Sequence, residues 1–204
     1  MQEIYKYPRT YHLEGSGIQH GDEDLSVIPI RSLAGQYVVV EEKMDGANSA
    51  ISFSDDGSLL LQSRGHYLTG GPREKQFSLF KTWASCYVNE LREALGKRYI
   101  LYGEWLYAKH TIFYTDLPHY FMEFDVYDKE RDVFLATAQR GDFLTALPFV
   151  ASVKVLYEGQ VSSMQQLVAM VGASHFINEK HLEHLRARCQ EKGFNVAQVL
   201  KETD

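Results

Sequence analysis

Asp55-Asp56-Gly57 stands between two strand-like runs, NSAISFS before it and SLLLQSR after it. Asp-Gly tolerates the positive φ of a tight hairpin, so the two runs must be antiparallel neighbours. Upstream, residues 36–43 (QYVVVEEK) read as a further strand. Downstream, RYILYGEWLY and HYFMEFDVYD read as long aromatic-rich strands, and KERD turns the second into a short strand, VFLA. Between these groups Phe77, Phe80, Trp83, Ala84, Tyr87, Val88, Leu91 and Leu95 recur at helical spacing. They predict one helix over residues 75–95, stopped by Gly96. Short helices are expected near 140–147, 163–171, 179–192 and 197–201, with a strand VKVLY between the first two. TGGPREK reads as loop, and so do most of the first 35 residues, YHLEGSGIQHGDEDLS above all. Strands first and helices later, joined by hairpins, give an α+β fold of antiparallel sheets with flanking helices, not a doubly wound sheet.

The 204 residues are 45% apolar and 13% aromatic, enough for a sizeable core in one domain spanning 1–204. A net charge of −6 argues against gripping nucleic acid by global charge, though a local basic groove is compatible with it. Cys86 and Cys189 are far apart and in no metal-type spacing, which suits two structural thiols in the reducing cytoplasm. MQEIYKYPRT has no apolar signal core, and no apolar run approaches the roughly 18–20 residues of a membrane span.

Several chemistries drop out. Gly65 and Gly70 have the glycine spacing of a Walker loop, but Gly71 stands where its lysine must be. No strand–GxGxxG–helix unit, G-x-S-x-G elbow or H-E-x-x-H occurs. His175, His181 and His184 are the closest histidines, and a polar helix surface accounts for them better than a metal site.

What remains is a set of charges where strands should be apolar or neutral. Lys43 lies in EKMDGAN, Arg64 ends LLLQSRG, Glu104 interrupts ILYGEWLY, and Glu123 and Asp125 alternate with Met122, Phe124 and Val126 in FMEFDVYD. Taken singly, Lys43 and Arg64 read as surface charges and Phe124 as a core aromatic. Glu104 shares a strand face with Tyr102 and Leu106, and a half-buried carboxylate there needs a partner, either a cation such as Arg64 or a ligand hydroxyl. Taken together, and if the strands share a sheet face, they fit a nucleotide. Phe124 supplies a slab for the base, Glu104 with Arg64 a grip on the ribose, and Lys43 a nucleophile near the α-phosphate.

EKMDGAN resembles the Lys-x-x-Gly nucleophile motif of the covalent nucleotidyltransferases, which include DNA ligases, RNA ligases and capping enzymes. Its continuation to Asn48 is similar to the ATP-dependent RNA ligases of the nick-sealing phage and kinetoplastid-editing type. QSRG, YGEWLY and FMEFDVYD resemble the next three motifs of that family, in order, and KYPRTYHLEGS its opening segment; the likeness covers roughly residues 5–160. The resemblance implies an ATP-grasp-like ligase core and a three-step reaction. Lys43 attacks the ATP α-phosphate, AMP passes to an RNA 5′-phosphate, and a 3′-hydroxyl displaces AMP to seal the strand. It also implies that Arg64 and Glu104 hold the ribose, that Phe124 stacks on adenine, that Asn48 lies near the phosphate and RNA end, and that Glu42 helps read the adenine amino group. Mg²⁺ or Mn²⁺ is the implied cofactor, with no ligands assigned, and an end-healing kinase-phosphatase is an implied partner.

The family's last two motifs, an E-G-[LV]-[VY]-[LIV]-[RK] strand and a K-x-K strand, are not found. YEGQVSS has Glu-Gly but lacks the basic end and leads toward a helix, so Glu158 reads as a surface turn. The family spacing puts the first of these motifs just past Asp204. A core incomplete at its C-terminal side, belonging to a longer ligase, is the favoured expectation over a naturally shortened and weakened one. A DNA ligase or capping-type transferase would use the same lysine chemistry. A degenerate domain that binds nucleotide or RNA ends would keep the fold without the reaction.

Overall fold

A computed structural model describes residues 4–17 and 26–203. The loop expected over 11–26 therefore lies partly outside the described residues. In chain order the strands are β1 (His12–Leu13), β2 (Val27–Ile28), β3 (Tyr37–Glu41), β4 (Ala47–Phe53) and β5 (Leu59–Ser63). Then come β6 (Tyr99–Trp105), β7 (Phe121–Asp128), β8 (Val133–Phe134), β9 (Ala151–Ser152) and β10 (Val155–Gln160). The helices are α1 (Ser78–Cys86), α2 (Val88–Leu95), α3 (Thr137–Leu144), α4 (Met164–Val168), α5 (His181–Lys192) and α6 (Val196–Lys201). Helices and mainly antiparallel sheets are mixed, as expected; β1–β2 and β7–β9 are short parallel pairs.

The residues divide into two compact units. The larger comprises Lys43–Val153, Ser174–Asp204 and the N-terminal residues Met1–Tyr5, as far as they are described. Its sheet runs β5-β4-β6-β7-β8, with β9 beside β7. The β4–β5 hairpin turns through Gly57 at φ 80°, as the Asp-Gly pair requires. One face of this sheet is apolar at Ile51, Phe53, Leu61, Leu101, Trp105, Phe121 and Val126, and it packs on Phe77, Phe80, Ala84, Leu91 and Leu95 from the α1–α2 segment. Each such large side chain taken from water contributes roughly 1.5–3 kcal/mol. Phe80 is central: its ring centroid lies 5.2 Å from those of both Trp105 and Phe121.

The helix predicted over 75–95 is interrupted. A 3₁₀ segment, Pro72–Phe77, leads into α1, and Tyr87 leaves helical geometry at φ −109°, ψ 22° before α2 resumes. The Tyr87 ring stacks on Phe149 with centroids 3.9 Å apart, so packing outweighs helical continuity at this residue.

The smaller unit comprises Lys6–Glu42 and Lys154–Ala173. β3 and β10 pair antiparallel in it. Glu158, expected in a surface turn, is instead inside β10 opposite Val39 and accepts the Tyr37 hydroxyl at 2.8 Å. It is exposed, as a turn residue would be, but its backbone is ladder-paired. Val155–Gln160 is held extended by pairing along β3, from Glu41 to Tyr37, before the helix begins.

Gly103 marks a tight point of the larger unit. A Cβ there would lie 2.5 Å from the Phe121 ring and 2.8 Å from the Met122 carbonyl oxygen. Gly103→Ala is therefore expected to destabilise the protein by about 1–3 kcal/mol through overpacking. Urea unfolding checks this; an unchanged midpoint would refute it.

Candidate active site

The turn Lys43-Met44-Asp45-Gly46 is held at three successive residues. Met44 is 3% exposed and packs with Leu106, Met122 and Val153. Asp45 donates its N–H to the Tyr114 hydroxyl (2.8 Å) and accepts the Thr111 N–H (2.7 Å) and hydroxyl (2.6 Å) on Oδ2. Gly46 donates its N–H to Glu104 Oε1 at 3.0 Å. A Cβ on Gly46 would sit 2.5 Å from the Trp105 carbonyl oxygen, so only glycine permits this approach. Lys43 precedes these anchors with its side chain exposed.

The partners of Asp45 come from the long segment between β6 and β7. Burial pushes the Asp45 carboxyl up, but the bonds from Thr111 and the nearby His110 outweigh it and hold the carboxyl below its usual range. The segment is itself tied down: Thr115 and Asp116 both donate N–H to Phe176 O at 3.0 Å, and Asn178 Nδ2 donates to Asp116. Sequence reasoning missed His110, Thr111 and Tyr114. Their one signal was a connection of more than about 12 residues without periodicity, which in a compact domain is commonly functional.

Strand register places the remaining polar residues. Asn48 in β4 pairs with Glu104 in β6, which pairs with Met122 in β7. β4 and β5 pair as far as Ser49 and Ser63, and Arg64 follows in the bend just past β5, where its charge acts on Glu104. Asn48, Glu104 and Met122 thus form a row on the sheet face opposite the α1–α2 core, with Arg64 in the bend at its edge. Among the described residues, the buried Asn48 Oδ1 has no hydrogen-bond partner, so it is an acceptor facing an unmet demand. Further along this face Gln62 Nε2 and the Tyr102 hydroxyl both donate to Tyr5 O, at 2.7 and 2.9 Å.

The Glu104 carboxyl is pushed up to about 7. Burial is the main cause, with a smaller push from Asp45; the Gly46 N–H and the positive charges of Lys43 and Arg64 act against it. Arg64 is exposed and forms no ion pair with Glu104, so the partner that best relieved the carboxylate in the sequence is only an electrostatic neighbour.

Phe124 reaches this face through an irregularity. Tyr102 pairs with Asp125 and Gly103 with Glu123, leaving Phe124 as the extra residue of a bulge. The alternation expected in FMEFDVYD is therefore broken. Met122 and Phe124 belong with the Met44–Leu106 cluster, whereas Val126 joins Phe121 in the opposite core. Glu42 lies in the smaller unit, where its N–H donates to Lys154 O at 2.8 Å. Among the described residues no three His, Cys, Asp or Glu side chains are grouped to hold a metal ion.

A model of the RNA ligase family matches residues 36–198. The chain belongs to the RNA ligase family. No curated protein sequence matches it. Similar solved structures are those of a Naegleria gruberi RNA ligase. A lysine-to-alanine mutant with ATP and manganese is 23% identical, covers 73% of this chain and 45% of its own, and superposes with a TM-score of 0.54. A glutamate-to-alanine mutant with AMP and manganese gives 20%, 71%, 44% and 0.54. The form with pyrophosphate gives 22%, 71%, 44% and 0.51. This RNA ligase family chain thus spans less than half the length of those proteins and shares their fold.

A carboxyl whose folded pKa lies above its unfolded one favours the fold while protonated. That contribution is full at low pH and is lost as pH rises from the ordinary carboxylate range through about 7. Glu104→Gln keeps an acceptor for Gly46 and removes the buried charge. It should exceed wild type in stability at pH 8 by on the order of 1–3 kcal/mol, the gap closing by pH 5. Chemical denaturation at both pH values checks this, and parallel pH profiles for the two proteins would contradict it.

Proposed function

We propose that this chain carries the nucleotidyltransferase centre of an ATP-dependent RNA ligase, and that Lys43 is its nucleophile. The observation that carries the reading is the paired Asn48 and Glu104, with the Arg64 charge acting on Glu104, Phe124 turned onto the same face and the Lys43 turn bonded to Glu104. One aromatic platform, one acceptor-rich row and one exposed amine are what a nucleoside triphosphate needs from a protein whose reaction is displacement at phosphorus.

In the first step Lys43 Nζ, in its unprotonated form, attacks the α-phosphorus. A P–N bond forms, the bond to the bridging oxygen breaks, and pyrophosphate leaves with the electron pair. Asp45 and Gly46 keep the turn in place while this happens. Glu104 and Arg64 orient the ribose, Phe124 stacks on adenine, and Glu42 reads the adenine amino group. Asn48 lies beside the phosphates and the RNA end, toward which its amide NH₂ would donate. Mg²⁺ or Mn²⁺, held mainly by the phosphates, would neutralise charge on the leaving group. AMP then passes from Lys43 to an RNA 5′-phosphate, and a 3′-hydroxyl displaces AMP to join the strands.

Breaks with other ends would first need an end-healing kinase-phosphatase. We place the protein in the cytoplasm, in keeping with free Cys86 and Cys189 and with no described helix long and apolar enough to cross a membrane. The Naegleria gruberi enzyme, an RNA ligase seen with ATP, AMP and manganese, supports the choice of RNA and of ATP.

Incubation with α-labelled ATP and Mg²⁺ or Mn²⁺ tests the proposal. A covalent label is expected on wild type and lost, by at least about 100-fold, in Lys43→Ala, because no neighbouring group can replace a covalent nucleophile. Equal labelling of both proteins would remove Lys43 from the role. Preference for nicked DNA over nicked RNA, or for GTP over ATP, would move the protein to another branch of the superfamily.

A further inference from the structure

The buried pair beneath the β7 bulge has no part in the steps above. Glu123 is fully buried and Arg140, from α3, is 5% exposed. Arg140 Nε lies 3.4 Å from Glu123 Oε1, and Ser152 Oγ donates to Glu123 Oε2 at 2.8 Å. Arg140 Nη1 donates to the Phe124 carbonyl oxygen. The Glu123 carbonyl meanwhile accepts the Val153 N–H at 2.8 Å. An ion pair in this setting is often no more stabilising than apolar packing of the same volume, so its presence calls for another account.

Geometry supplies one. Phe124 is the residue that the β6–β7 register skips, so regular strand pairing does not fix its direction. The guanidinium spans the two residues that define the bulge, the side chain of Glu123 and the main chain of Phe124. Its planar fork is suited to serve both at once, which a lysine ammonium cannot do with the same geometry. We infer that Arg140 and Glu123 are positioning residues that lock the bulge and so present the Phe124 ring to the nucleotide base. The inference rests on the reading of Phe124 as the base platform.

Calorimetric titration of the 204-residue chain with ATP in its α,β-methylene form, whose α–β bridge Lys43 cannot cleave, and with inorganic tripolyphosphate, both in magnesium buffer, separates base from phosphate binding. Phe124→Ala should weaken ATP by about tenfold or more, as loss of an aromatic stacking partner does. Arg140→Lys should weaken ATP by about fivefold and leave tripolyphosphate unchanged, since only the base contact is misplaced. Because Arg140 acts through Phe124, the double variant should bind ATP no more weakly than Phe124→Ala alone. Unchanged ATP binding in Arg140→Lys, equal loss for both ligands, or a further loss in the double variant would each overturn the inference. If Arg140→Lys does not fold, Ser152→Ala, which loosens Glu123 alone, takes its place in the same cycle. If wild type binds no ATP, or Phe124→Ala binds it as wild type does, the platform reading itself fails and the inference falls with it.

Discussion

Gly46 lies so close to the Trp105 carbonyl that no side chain fits between them, and its N–H is bonded to Glu104. That contact joins the Lys43 turn to the end of β6. It fixes where Lys43 begins, and it places the Glu104 carboxyl under the turn, where burial and nearby cations compete over its proton. Met44 and Asp45 secure the turn from two further directions, one apolar and one polar. A lysine side chain carries large rotamer entropy, and with the three residues after it anchored that freedom is confined to the Lys43 side chain itself.

Much of this could be read from the chain. The Asp-Gly hairpin and the period-two runs announced the sheet, and period 3.6 announced the helices, because each is a local rule. Lys43, Arg64 and Glu104 stood out as charges in strands; register brings Asn48 beside Glu104, and Lys43 arrives on the turn that Gly46 bonds to Glu104. What stayed hidden is what local rules do not encode. The break at Tyr87 comes from a ring stacked on Phe149, a partner far along the chain. Glu158 could be read as a turn because its strand partner, Val39, is remote. Thr111 and Tyr114 lie in a segment with no period at all, and their use depends on where the turn at Asp45 arrives in space.

The two carboxylates of neighbouring strands show how environment divides similar groups. The burial of Glu104 is only partly compensated by the Gly46 N–H and the charges of Lys43 and Arg64. Glu123 is sealed by Arg140 and Ser152. The same group is thus weakly matched by its surroundings in one strand and firmly bonded in the next.

The bulge in β7 also makes this strand sensitive to counting. A substitution changes one side chain, but loss of a single residue between Phe121 and Asp125 would restore regular pairing and carry the aromatic ring to the wrong side of the sheet. For this stretch the number of residues is as much a part of the message as their identity. Related chains aligned with a one-residue gap here should be read as presenting a different side chain on this sheet face, even where every motif letter agrees.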